Sequence, residues 1–440
     1  MGKGTSPLSR MTVNHLQRKI LFTLGFLALY RIGVHVPVPG VNAAALTEFF
    51  KSQGANLFGM FNMFSGGALQ RFSIFALGVM PYISASIIAQ LLTVVVPHLE
   101  ALSKEGEAGR KKITQYTRYA TIVLALIQGF MIANTIASAD IGGGQLVEDG
   151  GIAWLVMTAI SLTAGTAFVM WLGEQITDKG VGNGISIIIF CGIVAGLPGV
   201  ITNTYSKYNN AEMEVAQIAL LLLIVVAITA GTVFIELGAR QVPIQYPKRQ
   251  VGKKVYGGQT SYLPIRVNTA GVIPPIFASS LLQIPVTGAS LFQGTSFASL
   301  VNTILFPGGW LYNTLYLVLI VFFAFFYTSI QFKPDDIAEN LKKHGGFVPG
   351  IRPGARTADF LGKIINRLTL TGAIYLSAIC LVPSMITDRF NVQFYFGGTS
   401  LLIIVGVALE TFRQIEAHRQ SLRYEAFMKQ GSSRSRGSRR

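Results

Sequence analysis

The sequence predicts an all-α polytopic membrane protein, and three observations predict it. Of its 440 residues, 51% are hydrophobic and only 13% are charged, against about 25% charged in soluble domains. The mean hydropathy is +0.50. Apolar runs of roughly twenty residues recur along the whole length, each enough to cross ~30 Å of hydrocarbon at ~1.5 Å per residue. A β-barrel would show shorter alternating segments, and no stretch reads as a separate soluble domain.

Ten spans are read, near 20–36, 72–96, 119–139, 152–172, 184–204, 215–237, 270–290, 311–332, 368–387 and 397–412. The first run, from Ile20, lacks a following small-residue cleavage site and is read as a retained helix. In front of the second span stands FNMFSGGALQR, Phe61 to Arg71, a glycine-split stub too short to cross a bilayer. Cys191 and Cys380 lie inside apolar runs and read as small buried hydrophobes. Gly192 and Gly196 form a GxxxG, read as helix packing.

Charge sets the orientation. The segments 1–19, 97–118, 173–183, 238–269, 333–367 and the tail hold 31 Lys and Arg, while the opposite loops hold four: Lys51, Arg71, Lys207 and Arg389. The positive-inside rule places both termini in the cytoplasm. Arg31 sits near the outer end of the first span, where it can snorkel.

The chain repeats. GVMPYISAS (78–86) aligns with GVIPPIFAS (271–279) at six of nine positions, and GISIII (184–189) aligns more weakly with GTSLLI (398–403). These are the second and seventh, then the fifth and tenth spans. Five is odd, so the second copy enters the membrane upside down, an inverted-topology repeat. The expected division is 1–210, 211–412 and a basic tail, 413–440.

The spans carry almost no charge; Glu236 and Glu410 fall at cytoplasmic ends. Weakly polar Ser84, Gln90, Gln128, Asn134 and Asn268 read first as helix-to-helix hydrogen bonders. A coupled small-molecule transporter shares inverted repeats but needs a mid-membrane carboxylate. A membrane enzyme needs a catalytic group at depth. His15, His98, His344 and His418 lie in aqueous segments, and His35 stands at a span end with no partner in sight. No nucleotide-binding, metal or catalytic pattern occurs, and no cofactor or metal is expected. The aqueous loops are more elaborate. Six basic residues and no acid lie between Arg240 and Arg266, with alternation that predicts a projecting hairpin. A second long loop has Pro-Gly turns flanking Arg352. Such surfaces suit anionic lipid or a polyanionic or acidic partner.

Seven long motifs then resemble the bacterial SecY family: MFNMFSGGALQRFSIFALGVMPYISASII, LSKEGEAGRKKITQYTRYATIVLA, WLGEQITDKGVGNGISIIIFCGIVAGLP, YPKRQVGKKVYGGQ, NTAGVIPPIFASS, NLKKHGGFVPGIRPG and FYFGGTSLLIIVGVALE. They occur in order, and the resemblance covers about Leu16 to Tyr424. The resemblance implies ten transmembrane helices in two inverted halves of five, with a re-entrant plug helix and no enzymatic activity. It implies a pore ring of Val79, Ile83, Ile185, Ile189, Ile276 and Ile403, an apolar constriction that gates by dewetting. It implies a plug over about 57–71, including Phe61, Phe64, Ser65, Gly66, Gly67, Leu69 and Arg71. Ser84, Gln90, Gln128, Asn268 and Pro274 fall on the lateral gate between the second and seventh spans. Lys248, Arg249, Lys253, Lys254 and Arg352 match the surface that docks the SecA ATPase or the ribosome. SecE, SecG, signal peptides and nascent chains are the other partners implied, in the bacterial inner membrane.

Overall fold

The structure, a computed structural model, describes residues 7–42, 46, 62, 64–138, 140–141, 144–145, 147, 150–210, 214–247, 249–251, 254–256, 260–289, 295–305, 309–390 and 398–437. Helices dominate: α1 (Pro7–Gly33), α2 (Met80–Val95), α3 (Pro97–Lys104), α4 (Glu107–Ala137), α5 (Ile152–Lys179), α6 (Gly184–Asn209), α7 (Val215–Leu237), α8 (Ile273–Ala289), α9 (Ser296–Ile304), α10 (Trp310–Gln331), α11 (Pro334–Lys343), α12 (Ala355–Phe390) and α13 (Gly398–Gly437). A two-residue hairpin, β1 (Asp140–Ile141) with β2 (Gly144–Gln145), follows α4. Between α7 and α8 lie β3 (Ala239–Gln245), β4 (Arg249–Val251), β5 (Lys254–Tyr256) and β6 (Thr260–Arg266).

Ten of these helices follow the predicted spans in order: α1, α2, α4, α5, α6, α7, α8, α10, α12 and α13. By length and composition seven could cross a membrane, and α2 with α3 would make an eighth. Arg10, Arg18 and Lys19 make the first half of α1 polar, and α8 is short. Large apolar side chains stand exposed along the helices, among them Leu222, Leu223, Val226 and Phe234 on α7. In α7, Thr232 and Glu236 are the residues buried. Such a surface needs lipid.

Local chemistry ends and starts these helices. Pro97 pushes Val96 into an extended conformation, and α3 turns 98° away from α2. Asn183 caps α6, its side chain accepting from the N–H of Ile185 and Ser186. Glu214 and Gln217 form a capping box on α7. In α11, Asp335 and Asp336 stand in the first turn and Lys342 and Lys343 in the last, complementing the helix dipole. The Lys343 ammonium holds the Glu339 carboxyl below its usual range.

Two expected boundaries are corrected. The second span was expected to be helical from residue 72, but residues 72–79 form buried turns and α2 starts at Met80. Gly78, at φ +55°, stands where a right-handed helix cannot run. The second long loop was expected to run to residue 367; it contains α11, and α12 already begins at Ala355.

Two compact units form. The first is Met1–Asn210 with Gln283–Asn302 and Val407–Arg440; the second is Ala211–Leu282 with Thr303–Gly406. Inside the first, small residues bring helices together: a methyl added to Gly129 of α4 would lie 3.3 Å from the Ala159 carbonyl oxygen of α5.

The internal repeat is visible in each unit. Gly78 and Gly271, equivalent in the sequence alignment, both have positive φ, +55° and +63°. Two residues later α2 and α8 begin, with Pro81 and Pro274 in their first turns. In the first unit, a methyl on Gly165 of α5 would lie 1.8 Å from the Ile74 carbonyl oxygen, four residues before Gly78. In the second, a methyl on Gly372 of α12 would lie 3.0 Å from the Val267 carbonyl oxygen, four residues before Gly271. The fourth helix of each half also carries the start of the fifth. Gly184 presses on the Gly173 carbonyl and Gly398 on the Ile379 carbonyl, at 1.9 and 1.7 Å from an added methyl.

Candidate pore and plug

The glycine-split stub is mostly turn, and it is buried. Asn62 and Phe64 are helical, Ser65 to Phe72 are turns, and Phe61 lies outside the described residues. Of the plug segment implied by the resemblance, about 57–71, residues 57–61 and 63 lie outside the described residues, and the described part is turn from Ser65 onward. Gly66 and Gly67, at φ +67° and +86°, set the bend. Side chains then tie the turn to itself. The Gly67 N–H reaches the Asn62 carbonyl at 2.8 Å, and the Gln70 N–H reaches Asn62 Oδ1 at 2.9 Å. Ser65 Oγ donates to the Asn62 carbonyl and accepts from the Leu69 N–H. These are turn devices of short polar side chains. Phe64, Ser65, Gly66, Ala68 and Leu69 are buried, while Arg71 is exposed. An amphipathic helix lying on a membrane surface would instead expose one face.

The end of α1 and the chain after it hold this turn. Tyr30, fully buried, donates its hydroxyl to the Ser65 carbonyl at 2.9 Å. Half-buried Arg31 donates from Nη1 to the Gly66 carbonyl at 2.9 Å. His35, expected to lack a partner, has two. Its Nδ1 meets the Arg31 carbonyl at 2.8 Å and its Nε2 meets Arg71 Nη1 at 2.6 Å. Below, the backbone pairs: Val38 N–H to Phe72 O, 2.9 Å, and Ile74 N–H to Val36 O, 3.1 Å. Phe72 itself sits at φ +45° without being glycine, a strained conformation costing ~1–2 kcal/mol. It is buried and stacked on Trp154 at 6.3 Å. Gly192 is corrected as well. It faces the plug turn, with an added methyl 3.2 Å from Gly66 Cα, while among the described residues no atom lies within 4 Å of a methyl on Gly196.

The ring residues lie on helix starts. Val79 caps α2 and its carbonyl accepts from the Ile83 N–H at 3.0 Å, so the two keep their i, i+4 relation. Both are buried, as are Ile189, Ile276 and Ile403. Ile185 is half-buried, and its Cδ1 packs into the space left by Gly173. Val79, Ile83, Ile185 and Ile189 belong to the first unit, and Ile276 and Ile403 to the second.

The polar gate residues divide the same way. In the first unit Ser84 is buried, Gln90 is half-buried, and Gln128 Oε1 is buried without a hydrogen-bond partner. In the second, Pro274 stands in the first turn of α8, and buried Asn268 donates to Glu236 Oε1 at 2.5 Å and to the Gly271 carbonyl at 3.1 Å. Glu236 is itself buried, a carboxylate the charge survey had assigned to a helix end.

Within the second unit, the two basic loops are one folded body. β3 pairs antiparallel with β6 from Ala239–Arg266 to Gln245–Thr260, and β4 pairs with β5 further out. Val242, Ile244 and Ile265 point inward. Val242 and Ile265 join Val348, Leu361 and Ile365 in a core. Gln245 and Phe347 exchange backbone hydrogen bonds at 2.9 and 3.0 Å, stitching the hairpin to the second loop. Arg240, Arg266, Arg352 and Arg356 are exposed on this body. Arg249 and Lys254 lie on β4 and β5; Lys248 and Lys253 lie outside the described residues. Alternation around YLPI signalled the hairpin, but nothing in the sequence signalled its union with the second loop.

A family model described as SecY matches residues 73–412. The protein translocase subunit SecY of Escherichia coli (strain K12) is 49% identical over 428 residues, covering 97% of this chain and 96% of that protein. Among solved structures, a SecY protein whose plug domain stabilises the closed state of the translocation channel matches with a TM-score of 0.63 at 17% identity, over 92% of each chain. Sec61 in the canine ribosome-channel complex from the endoplasmic reticulum matches with a TM-score of 0.60 at 15% identity, over 92% of this chain and 93% of that one.

Proposed function

The chain belongs to the SecY family, and from that premise we propose that it is the channel of a Sec translocase, passing unfolded polypeptide across a membrane. Its near half identity to a protein translocase subunit, along 97% of its length, carries the reading. The channel is passive. SecA or a translating ribosome supplies the force, and the chain supplies a conduit. Val79, Ile83, Ile185, Ile189, Ile276 and Ile403 form the constriction. Apolar walls hold no ions and make no specific hydrogen bonds to a passing segment, so many sequences can slide through. The buried turn Ser65–Leu69, rooted at the front of α2, closes the hole when no substrate is present. Apolar segments leave sideways between α2 and α8, past Ser84, Gln90, Gln128, Asn268 and Pro274.

The exposed arginines of the cytoplasmic body, together with Lys248, Arg249, Lys253 and Lys254, dock SecA or ribosomal RNA and also meet anionic lipid. One core under both loops supports this reading, because it gives the basic side chains a rigid platform. SecE and SecG complete the assembly. The charge asymmetry supports a cytoplasmic position for both termini, and membership of the family supports the inner membrane of a bacterium. A photocrosslinker at Ile83 or Ile276, in a translocation intermediate arrested midway, is expected to capture the moving chain. Adducts to lipid or to neighbouring helices alone would sink the pore assignment.

A further inference from the structure

We propose that the end of α1 is a latch on the plug, with Tyr30 and Arg31 as the positioning residues that hold it shut. This rests on the plug reading above and goes beyond it. Both side chains donate to backbone carbonyls, Tyr30 to Ser65 and Arg31 to Gly66, each at 2.9 Å. A charged donor on a carbonyl is among the stronger neutral-acceptor contacts, and Tyr30 is wholly buried, so its hydroxyl has no water to turn to. The glycines complete the seat. A methyl on Gly66 would lie 2.8 Å from Gly192 Cα and 3.1 Å from Arg31 Nη1. The bare backbone of α6 on one side and the arginine on the other leave room for glycine alone at that position.

The contacts fall into two classes, and the division makes a hinge. The turn itself is held to α1 by side chains. Its root is held by backbone, through the Val36–Val38 and Phe72–Ile74 hydrogen bonds. His35 couples the two. Its Nδ1–H donates to the Arg31 carbonyl and its neutral Nε2 accepts from Arg71, so the arginine at the root is tied to the helix end that grips the turn. Loss of the Tyr30 and Arg31 contacts frees the turn while the backbone pairing keeps its root in place. The plug can then leave the pore and find its way back.

The test uses the complete translocase in proteoliposomes, read by resting ion leak. Arg31→Leu and Tyr30→Phe are each expected to raise the leak about tenfold, the scale of one lost hydrogen bond of this kind; Arg31→Lys, which keeps a donor, restores part of the seal. A second readout separates a latch from general loosening. Ala68→Cys, on the buried turn, should gain reactivity to a membrane-impermeant maleimide in the Arg31→Leu background, while buried Cys380 stays protected. Equal gains at both thiols would mean a structural lesion and overturn the latch. Deletion of 57–71 distinguishes the two levels of argument. A deletion that does not leak ends the plug reading itself. A deletion that leaks beside an Arg31→Leu variant that stays sealed ends the latch and leaves the plug standing.

Discussion

The second helices of the two halves begin alike and are approached differently. α2 and α8 each start two residues after a left-handed glycine, and in each half the fourth helix uses a glycine to receive the backbone just upstream. Three residues before that glycine, however, the first half has Phe75 and the second has Asn268. Phe75 is buried, stacked 6.0 Å from both Tyr30 and Phe168, and lies over Gly33. Asn268 is buried too, but it is spent on hydrogen bonds to Glu236 and the Gly271 carbonyl. One scaffold thus carries two kinds of entrance. The apolar one receives a turn of backbone, Ser65–Leu69, and the polar one follows the strands of the hairpin body. Duplication preserved what holds a helix start in place and let what lies in front of it diverge.

The shared scaffold is where substitutions should hurt most. Gly184 and Gly398 sit where any side chain meets a carbonyl oxygen of the fourth helix. Gly184→Val and Gly398→Val should each cost more than about 3 kcal/mol, the upper range for overpacking. Each is expected to abolish accumulation of folded protein in the membrane, and by the same amount. If one position tolerates valine, the equivalence of the two halves fails there.

That symmetry was half legible. Two sequence matches located the second and fifth helices of each half, because those helix starts are read by residue type. Gly165 and Gly372 have no matching neighbours in sequence, and their shared role depends on a carbonyl, which every residue has. The same reason hid Arg31 and Tyr30, whose acceptors on the plug turn are also carbonyls. Span α7 was read at 215–237, the bounds it has, since Glu214 and Gly238 flank a strongly apolar run. The front of α2 was misread, because Phe72 to Leu77 is apolar from burial among other helices, and hydropathy does not separate that from a span. In the hairpin body, single buried residues stand among polar, proline and glycine positions, so a window average erases the core that Val242, Val348 and Leu361 build.

The divergent position gives the next effect. Phe75→Ala should destabilise by ~3 kcal/mol, leaving a cavity among Tyr30, Phe168 and Gly33. Asn268→Ala should cost somewhat less, ~2 kcal/mol, most of it from leaving buried Glu236 short of a donor. Unfolding in mixed micelles measures both. Exchanging the pair, with Phe75→Asn and Asn268→Phe in one chain, is expected to be worse than either alone, and a stable exchange would show the entrances to be interchangeable.

The finest comparison lies at the glycines themselves. Gly78 and Gly271 share a left-handed backbone, so alanine should cost each about 1 kcal/mol from conformation. Their surroundings differ. A methyl on Gly271 meets nothing within 4 Å, whereas one on Gly78 lies 3.2 Å from Ser65 Cα and 3.3 Å from Ser65 Cβ. Gly78→Ala must therefore push on the plug turn, and Gly271→Ala has no turn to push. The stability difference between the two variants should be under about 1 kcal/mol, close to the limit of an unfolding measurement. Resting leak resolves it better, because displacing Ser65 strains the same hydrogen bond that Tyr30 makes. Gly78→Ala is expected to leak and Gly271→Ala to stay sealed. Equal leak from both would mean that the seal depends on the helix starts in common, and that the turn in front of α2 is not what closes the channel.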